Sequence, residues 1–174
     1  MAKSRRKLIA QLKQPQYALL RDVTQEGALD APTLTGYVQA TVADRFALAR
    51  GFIDAAKLLA GSGNPLIRRS AVSRAYYGAY HAARATVFAV HRRDEDEHAR
   101  LAHTIDSLVQ AGGAVQTTMK DLRGVRDEMD YSPYPGPDSE SEYTDEQIEG
   151  FVRETIDGAE RLIERFDRFL RERR

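Results

Sequence analysis

The run Ser73-Arg-Ala-Tyr-Tyr-Gly-Ala-Tyr-His-Ala-Ala-Arg84 decides the fold class of this chain. Within it Arg74, Tyr77, His81 and Arg84 recur at offsets of three, four and three. A 3.6-residue turn gathers them on one side of a helix, in a row about 15 Å long at 1.5 Å per residue. Ala75, Tyr76, Ala79, Ala83 and Val87 face another side, where small side chains let a neighbouring helix approach. Charged groups are rarely buried unpaired, so Arg74 and Arg84 must meet solvent, an interface or a carboxylate of the same bundle. Two guanidiniums, an imidazole and a phenol in a row suit an anionic ligand, a partner protein or a second copy of the chain.

Outward from this helix the pattern stays helical. Upstream, Leu34, Val38, Val42, Phe46, Ala49, Phe52, Ile53, Ala56 and Leu59 form one stripe at helical spacing. Thr33 or Thr35 is the candidate cap, and Gly61-Ser-Gly-Asn-Pro65 the stop. Pro65 suits the first turn of the second helix, which runs to about His91. Asp94-Glu-Asp-Glu97 breaks the pattern and places negative charge near the start of a third, shorter helix. Leu101, Ile105, Leu108 and Val109 of that helix point inward, and Gly112-Gly113 closes it. A fourth helix from about Ala114 to Tyr131 buries Val115, Met119, Leu122, Val125 and Met129. Pro133, Pro135 and Pro137 then forbid helix through an acidic loop. Thr144-Asp-Glu-Gln147 resembles a capping box and opens a last helix with Ile148, Phe151, Val152, Ile156, Ala159, Leu162, Ile163, Phe166, Phe169 and Leu170 inward. No segment alternates with period two. The expectation is an all-α, up-and-down bundle of four long helices plus one shorter helix over residues 33–174. Residues 1–32 read as an N-terminal extension, in which Ser4 caps a short helix carrying Leu8, Ile9 and Leu12 until Gln14-Pro15 stops it.

Composition excludes several classes. A chain of 174 residues, 42% apolar and 30% charged, is long enough to bury one core without disulfides or metal. It has no cysteine, which rules out disulfides and thiolate chemistry and fits a reducing cytoplasm. No apolar run approaches the roughly 18 residues of a membrane span, and the basic start lacks the apolar region of a secretory signal. Twenty-six basic residues balance 26 acidic ones, so bulk polyanion binding is excluded and any nucleic-acid contact must come from local clustering. The clusters are residues 3–7, Arg68/Arg69, His91-Arg-Arg93 and the Arg-rich C-terminus, each read by default as a solvated face.

A second constellation lies in Leu122-Arg-Gly-Val-Arg-Asp-Glu-Met-Asp-Tyr131. Arg123 with Asp127 and Arg126 with Asp130 are i, i+4 pairs, which stabilise an exposed helix by about 0.2–0.5 kcal/mol. Such pairing leaves Tyr131 unexplained: a phenol at the helix end beside Arg126, followed by Ser-Pro-Tyr-Pro-Gly. His91, His98 and His103 lie near Asp94 to Glu97, yet no pair has helical metal-ligand spacing, so neither a metal site nor another cofactor is expected.

These two stretches, followed by a loop and a long amphipathic last helix, resemble the HEPN superfamily over about residues 35–172. The Ser-Arg-Ala-Tyr-Tyr…His-Ala-Ala-Arg and Arg…Asp-Tyr phrases resemble the branch found beside minimal nucleotidyltransferases. The resemblance implies a four-to-five-helix bundle, usually dimeric, with the arginine-bearing helix facing its mate across a two-fold. In active members an arginine followed four to six residues later by a histidine forms a metal-independent endoribonuclease site. The arginine falls on Arg126; the histidine does not carry over, because residues 131–133 are Tyr-Ser-Pro. A phenol with a pKa near 10 transfers protons poorly at neutral pH compared with an imidazole, which leaves His81 or Tyr131 as candidates for that step. In related toxin–antitoxin pairs a tyrosine beside the arginine motif is adenylylated by the partner. Tyr131 stands in a comparable position, with Tyr134 close by. No nucleotidyltransferase signature is present in this chain, so that partner is a separate polypeptide.

The leading reading is a dimeric HEPN protein of a toxin–antitoxin or defence-type system. Its Arg74, Tyr77, Arg84, Arg123 and Asp130 bind a nucleotide, an RNA phosphate or a partner nucleotidyltransferase. The alternatives are a metal-independent endoribonuclease toxin using Arg126 with His81 or Tyr131, and a non-catalytic dimerisation scaffold.

Overall fold

The computed structural model describes residues 30–132 and 142–173. The short helix expected near the N-terminus and Tyr134 lie outside the described residues. Those described form five α-helices: α1 (Ala31–Ala60), α2 (Pro65–His91), α3 (His98–Leu108), α4 (Ala114–Tyr131) and α5 (Asp145–Arg171). The described residues form an all-helical bundle with four long elements and one short one, as the periodicity predicts.

Local chemistry sets the boundaries. The first helix starts at Ala31, two residues before the expected boundary, with Asp30 as its cap. Pro32 has no N–H to offer and its φ suits a first turn, so the capping acceptor must stand upstream of it. Asp30 accepts from the Thr33 backbone N–H at 2.7 Å and from the Thr33 hydroxyl at 2.5 Å; Thr33 is the capped residue rather than the cap. Asn64 caps α2, accepting from Leu66 N–H at 2.9 Å. Thr144 and Gln147 close the predicted reciprocal capping box at α5. Gly112-Gly113 departs from expectation. Helix α3 already ends at Leu108, and the glycine pair, at φ 61° and 94°, opens α4 instead. Gly113 caps α4 in the left-handed region, where a Cβ would be strained. The missing side-chain acceptor comes from Asp106 on α3, whose buried carboxylate accepts N–H bonds from Gly113 (2.7 Å), Val115 (2.9 Å) and Gln116 (3.1 Å).

Helix α2 is the central element and packs against all four others. Ala71, Ala75, Ala79, Ala82, Ala83 and Ala85 are all fully buried, as a helix enclosed by neighbours requires. Gly78 marks the closest approach of α1. A Cβ there would meet the Ala49 carbonyl oxygen at 3.1 Å and Ile53 Cδ1 at 2.9 Å. Contacts of Gly78 with Ala49 and of Arg84 with Arg45 set α1 antiparallel to α2, and Ser73–Asp130 with Tyr77–Arg126 set α4 antiparallel to it as well. Helix α5 runs parallel to α2, since Arg68 near the start of α2 meets Asp145 and Glu149 near the start of α5, at 2.9 Å each.

The basic pair Arg68/Arg69 flagged in the sequence is an internal fixture. Arg68 is buried in that α2–α5 junction. Arg69 donates to the carbonyls of Met129 (2.9 Å), Glu128 (3.4 Å) and Ser132, tying down the C-terminus of α4, where unpaired carbonyls otherwise accumulate.

Candidate functional site

Three helices build one polar, aromatic surface. From α4, Arg126 is lodged with only 13% of its side chain exposed. Its Nη1 donates to the Tyr77 hydroxyl at 3.1 Å, and its Nη2 pairs with Asp127. The guanidinium carbon lies 5.5 Å from the centre of the Tyr76 ring and 5.8 Å from that of Tyr77, within cation–π range. Burial opposes charge on Arg126, but the Asp127 carboxylate outweighs it and holds its pKa above the ordinary value. The buried Nε makes no hydrogen bond among the described residues. The pairs expected at i, i+4 are long, 3.9 Å for Arg126–Asp130 and 3.8 Å for Arg123–Asp127. Asp130 instead accepts from the Ser73 hydroxyl at 2.8 Å, which stitches α4 to α2.

His98, at the first residue of α3, brings an imidazole to this surface. The Tyr76 phenol and His98 Nδ1 are hydrogen-bonded, and the His98 ring stacks on Tyr80 at 4.4 Å and on Tyr76 at 5.7 Å. Burial lowers the His98 pKa, and the positive fields of Arg123 and Arg126 lower it further. Burial likewise pushes Tyr76 up to about 12. Both groups are neutral at pH 7. The phenol O–H is then the natural donor to Nδ1, which places the imidazole proton on Nε2.

His81 sits one turn along α2 from Tyr77, stacked on Phe52 of α1 at 5.4 Å and edge-on to Tyr80 at 5.5 Å. Desolvation drives its pKa down to about 4, with Arg84 and Arg45 adding to the effect. Its charged neighbours thus belong to a second cluster, in which Asp94 bridges Arg84 and Arg45; the Arg45 contact is 2.9 Å. Arg74 is exposed, with its guanidinium 5.8 Å from the Phe52 ring centre. Tyr131 is 79% exposed at the end of α4 and lines a groove of about 310 Å³ with Leu66, Arg69, Ser70, Met129, Asp130 and Ser132.

The structure therefore brings Tyr77, Arg126 and Asp130 together and keeps Arg123 on the same flank, while His81 with Arg84, and Tyr131, occupy adjoining patches. The sequence reading missed four residues. His98 was weighed only as a metal ligand. Asp94, expected as charge at a helix start, turns inward to two arginines. Phe52 of α1 stands in the apolar stripe of the sequence, and Arg45 carries no signal there. Each acquires its role from a partner on another element, so no local spacing announces it.

Among the described residues no group of three His, Asp or Glu side chains is placed to hold a metal ion, and no helix is long and apolar enough to cross a membrane. No protein-family model matches this chain, and no curated protein matches it.

Proposed function

We propose that this chain is a HEPN-like binding module. It acts as a homodimer beside a separate nucleotidyltransferase in a cytoplasmic toxin–antitoxin or defence-type system, and holds nucleotide or RNA phosphate through Arg126 and its aromatic surround. One observation carries the reading: Arg126 is fixed by the Tyr77 hydroxyl and two ring faces, with the His98 imidazole on the neighbouring phenol. A pre-set guanidinium beside neutral N–H and O–H donors suits a phosphate oxygen, because charge-assisted bonds to phosphate are the strong ones. The exposed Arg123 adds a second cation at the same rim. In this reading Tyr131, fully accessible at the tethered end of α4, is the acceptor for a nucleotide adduct made by the partner enzyme. Arg126→Ala should lower affinity for labelled RNA or nucleotide at least tenfold and flatten its salt dependence. Unchanged binding in that variant would remove the reading.

A second reading is favoured by one further observation. His98 shares Arg126's aromatic platform and supplies an imidazole that the arginine motif lacks. If its tautomer reversed, Nε2 would be a base near two arginines, the equipment for metal-free cleavage at an RNA 2′-hydroxyl. The tautomer set by Tyr76 favours binding over cleavage. Incubation with RNA in chelator separates the two: intact RNA supports the binding module, and His98-dependent fragments support the ribonuclease.

A further inference from the structure

Several arginines of this bundle are paired with carboxylates: Arg45 and Arg84 with Asp94, Arg50 and Arg171 with Asp167, Arg68 with Asp145 and Glu149, Arg100 with Glu95 and Glu97. Arg161, Arg165 and Arg168 of α5 differ from these in sharing one helix face. They stand at i, i+4 and i+7, so one helix face carries all three along about 10 Å. Together with Val109 and the half-buried Phe169 they line a groove of about 460 Å³. Among the described residues no carboxylate forms an ion pair with any of the three, although Glu164 and Glu172 line the same groove. Arg165 lies in the field of Asp106, but that carboxylate is occupied by three backbone N–H groups of α4. Complementing the helix dipole accounts only for Arg168, in the last turn, since that effect fades within a turn. Arg161 and Arg165 lie too far upstream for it.

We propose that this α5 groove binds the backbone of single-stranded nucleic acid. Three guanidiniums stepped about 4.5–6 Å along one helix present a row of cations to a chain of phosphates. The Phe169 ring gives a base a face to stack on, the usual companion of a basic groove in single-strand binding. Arg173, with its guanidinium 4.4 Å from that ring's centre, occupies the face and moves aside when a base arrives, then adds a fourth cation. The groove is lined by none of the residues around Arg126, and the proposal stands whether or not that surface binds phosphate.

The test is fluorescence anisotropy of a 5′-labelled ten-nucleotide oligouridylate on the full chain, over a salt series. The wild type, an Arg161→Gln/Arg165→Gln/Arg168→Gln triple variant, Glu164→Gln/Glu172→Gln and Arg126→Ala are compared. The triple variant should bind at least tenfold more weakly and lose about 2 from the log–log salt slope, at about 0.7 per single-strand phosphate released. The glutamate variant, which removes repulsion without emptying the groove, should bind severalfold more tightly. Oligodeoxythymidylate in the same assay should lose affinity in the triple variant to the same degree, since the groove reads backbone. Failure of the wild type to bind either strand at low salt would overturn the proposal. So would triple and glutamate variants indistinguishable from wild type, including the case where Arg126→Ala alone abolishes binding. Loss in the triple variant with Arg126→Ala unaffected would uphold this groove and remove the reading of the Arg126 surface.

Discussion

Replacing Asp106 by alanine should destabilise the bundle strongly. The carboxylate stands in for the cap that α4 does not carry itself, accepting from Gly113, Val115 and Gln116 at 2.7, 2.9 and 3.1 Å. Loss of an ordinary N-cap costs about 0.5–2 kcal/mol. Here three donors are orphaned at a buried junction, and a negative charge worth about 0.3–1 kcal/mol at a helix N-terminus goes with them. A loss of about 2–4 kcal/mol follows, which at roughly 2–4 °C per kcal/mol lowers Tm by about 5–15 °C. Asp106→Asn keeps one acceptor oxygen but turns an NH₂ toward a backbone donor, so about half of the loss is expected. The sign with pH is fixed by the same contacts. Burial would raise the carboxyl, yet the three N–H bonds prevail and hold it below its ordinary value of 3.8. The folded state therefore favours the carboxylate. Its contribution is fully present above that ordinary value and fades as pH falls through the lower folded one. Urea unfolding followed by circular dichroism at pH 7, 5 and 3.5 should show the wild-type advantage over Asp106→Asn intact at the first two and shrinking at the last. An alanine variant within 0.5 kcal/mol of wild type (about the spread of neutral surface changes), or a gap growing toward acid, would refute this account.

Gly78→Ala should lower the urea midpoint although alanine is the better helix former. The propensity gain of about 1 kcal/mol is opposed by about 1–3 kcal/mol of overpacking against the immovable Ala49 carbonyl. Arg69→Ala should accelerate amide exchange in the last turn of α4 while leaving α1 unchanged, because it frees three carbonyls only there. The His81 ring should titrate by NMR with a midpoint near 4. Since its folded pKa lies below its unfolded one, His81→Gln should gain on wild type in stability as pH falls from about 6.5 toward 4, with a constant difference above; a midpoint near 6.5 would place the ring in solvent.

Helix number, order and most boundaries could be read from spacing because a helix is a local object. The α4 limits, Ala114 and Tyr131, emerged from a glycine pair and a proline run, and the α5 start from a four-residue capping box. The interior was legible for the same reason. Leu34, Val38, Phe46, Ala49, Ile53 and Ala56 repeat at helical intervals and are buried, while Phe52, on the edge of that stripe, rotated out to meet Tyr77 and His81.

The chain by itself thus determined which segments become helices and that α2 carries a polar row opposite a packing face. Only the tertiary structure decided what that row meets. Tyr77 finds Arg126 across 49 positions of sequence, Asp94 finds Arg45 across 49, and Tyr76 finds His98 across 22. The physical reason is range: backbone hydrogen bonds and side-chain periodicity act over one turn and are written in adjacent letters. Ion pairs and ring contacts, by contrast, act through space and exist only once packing has chosen which helices touch.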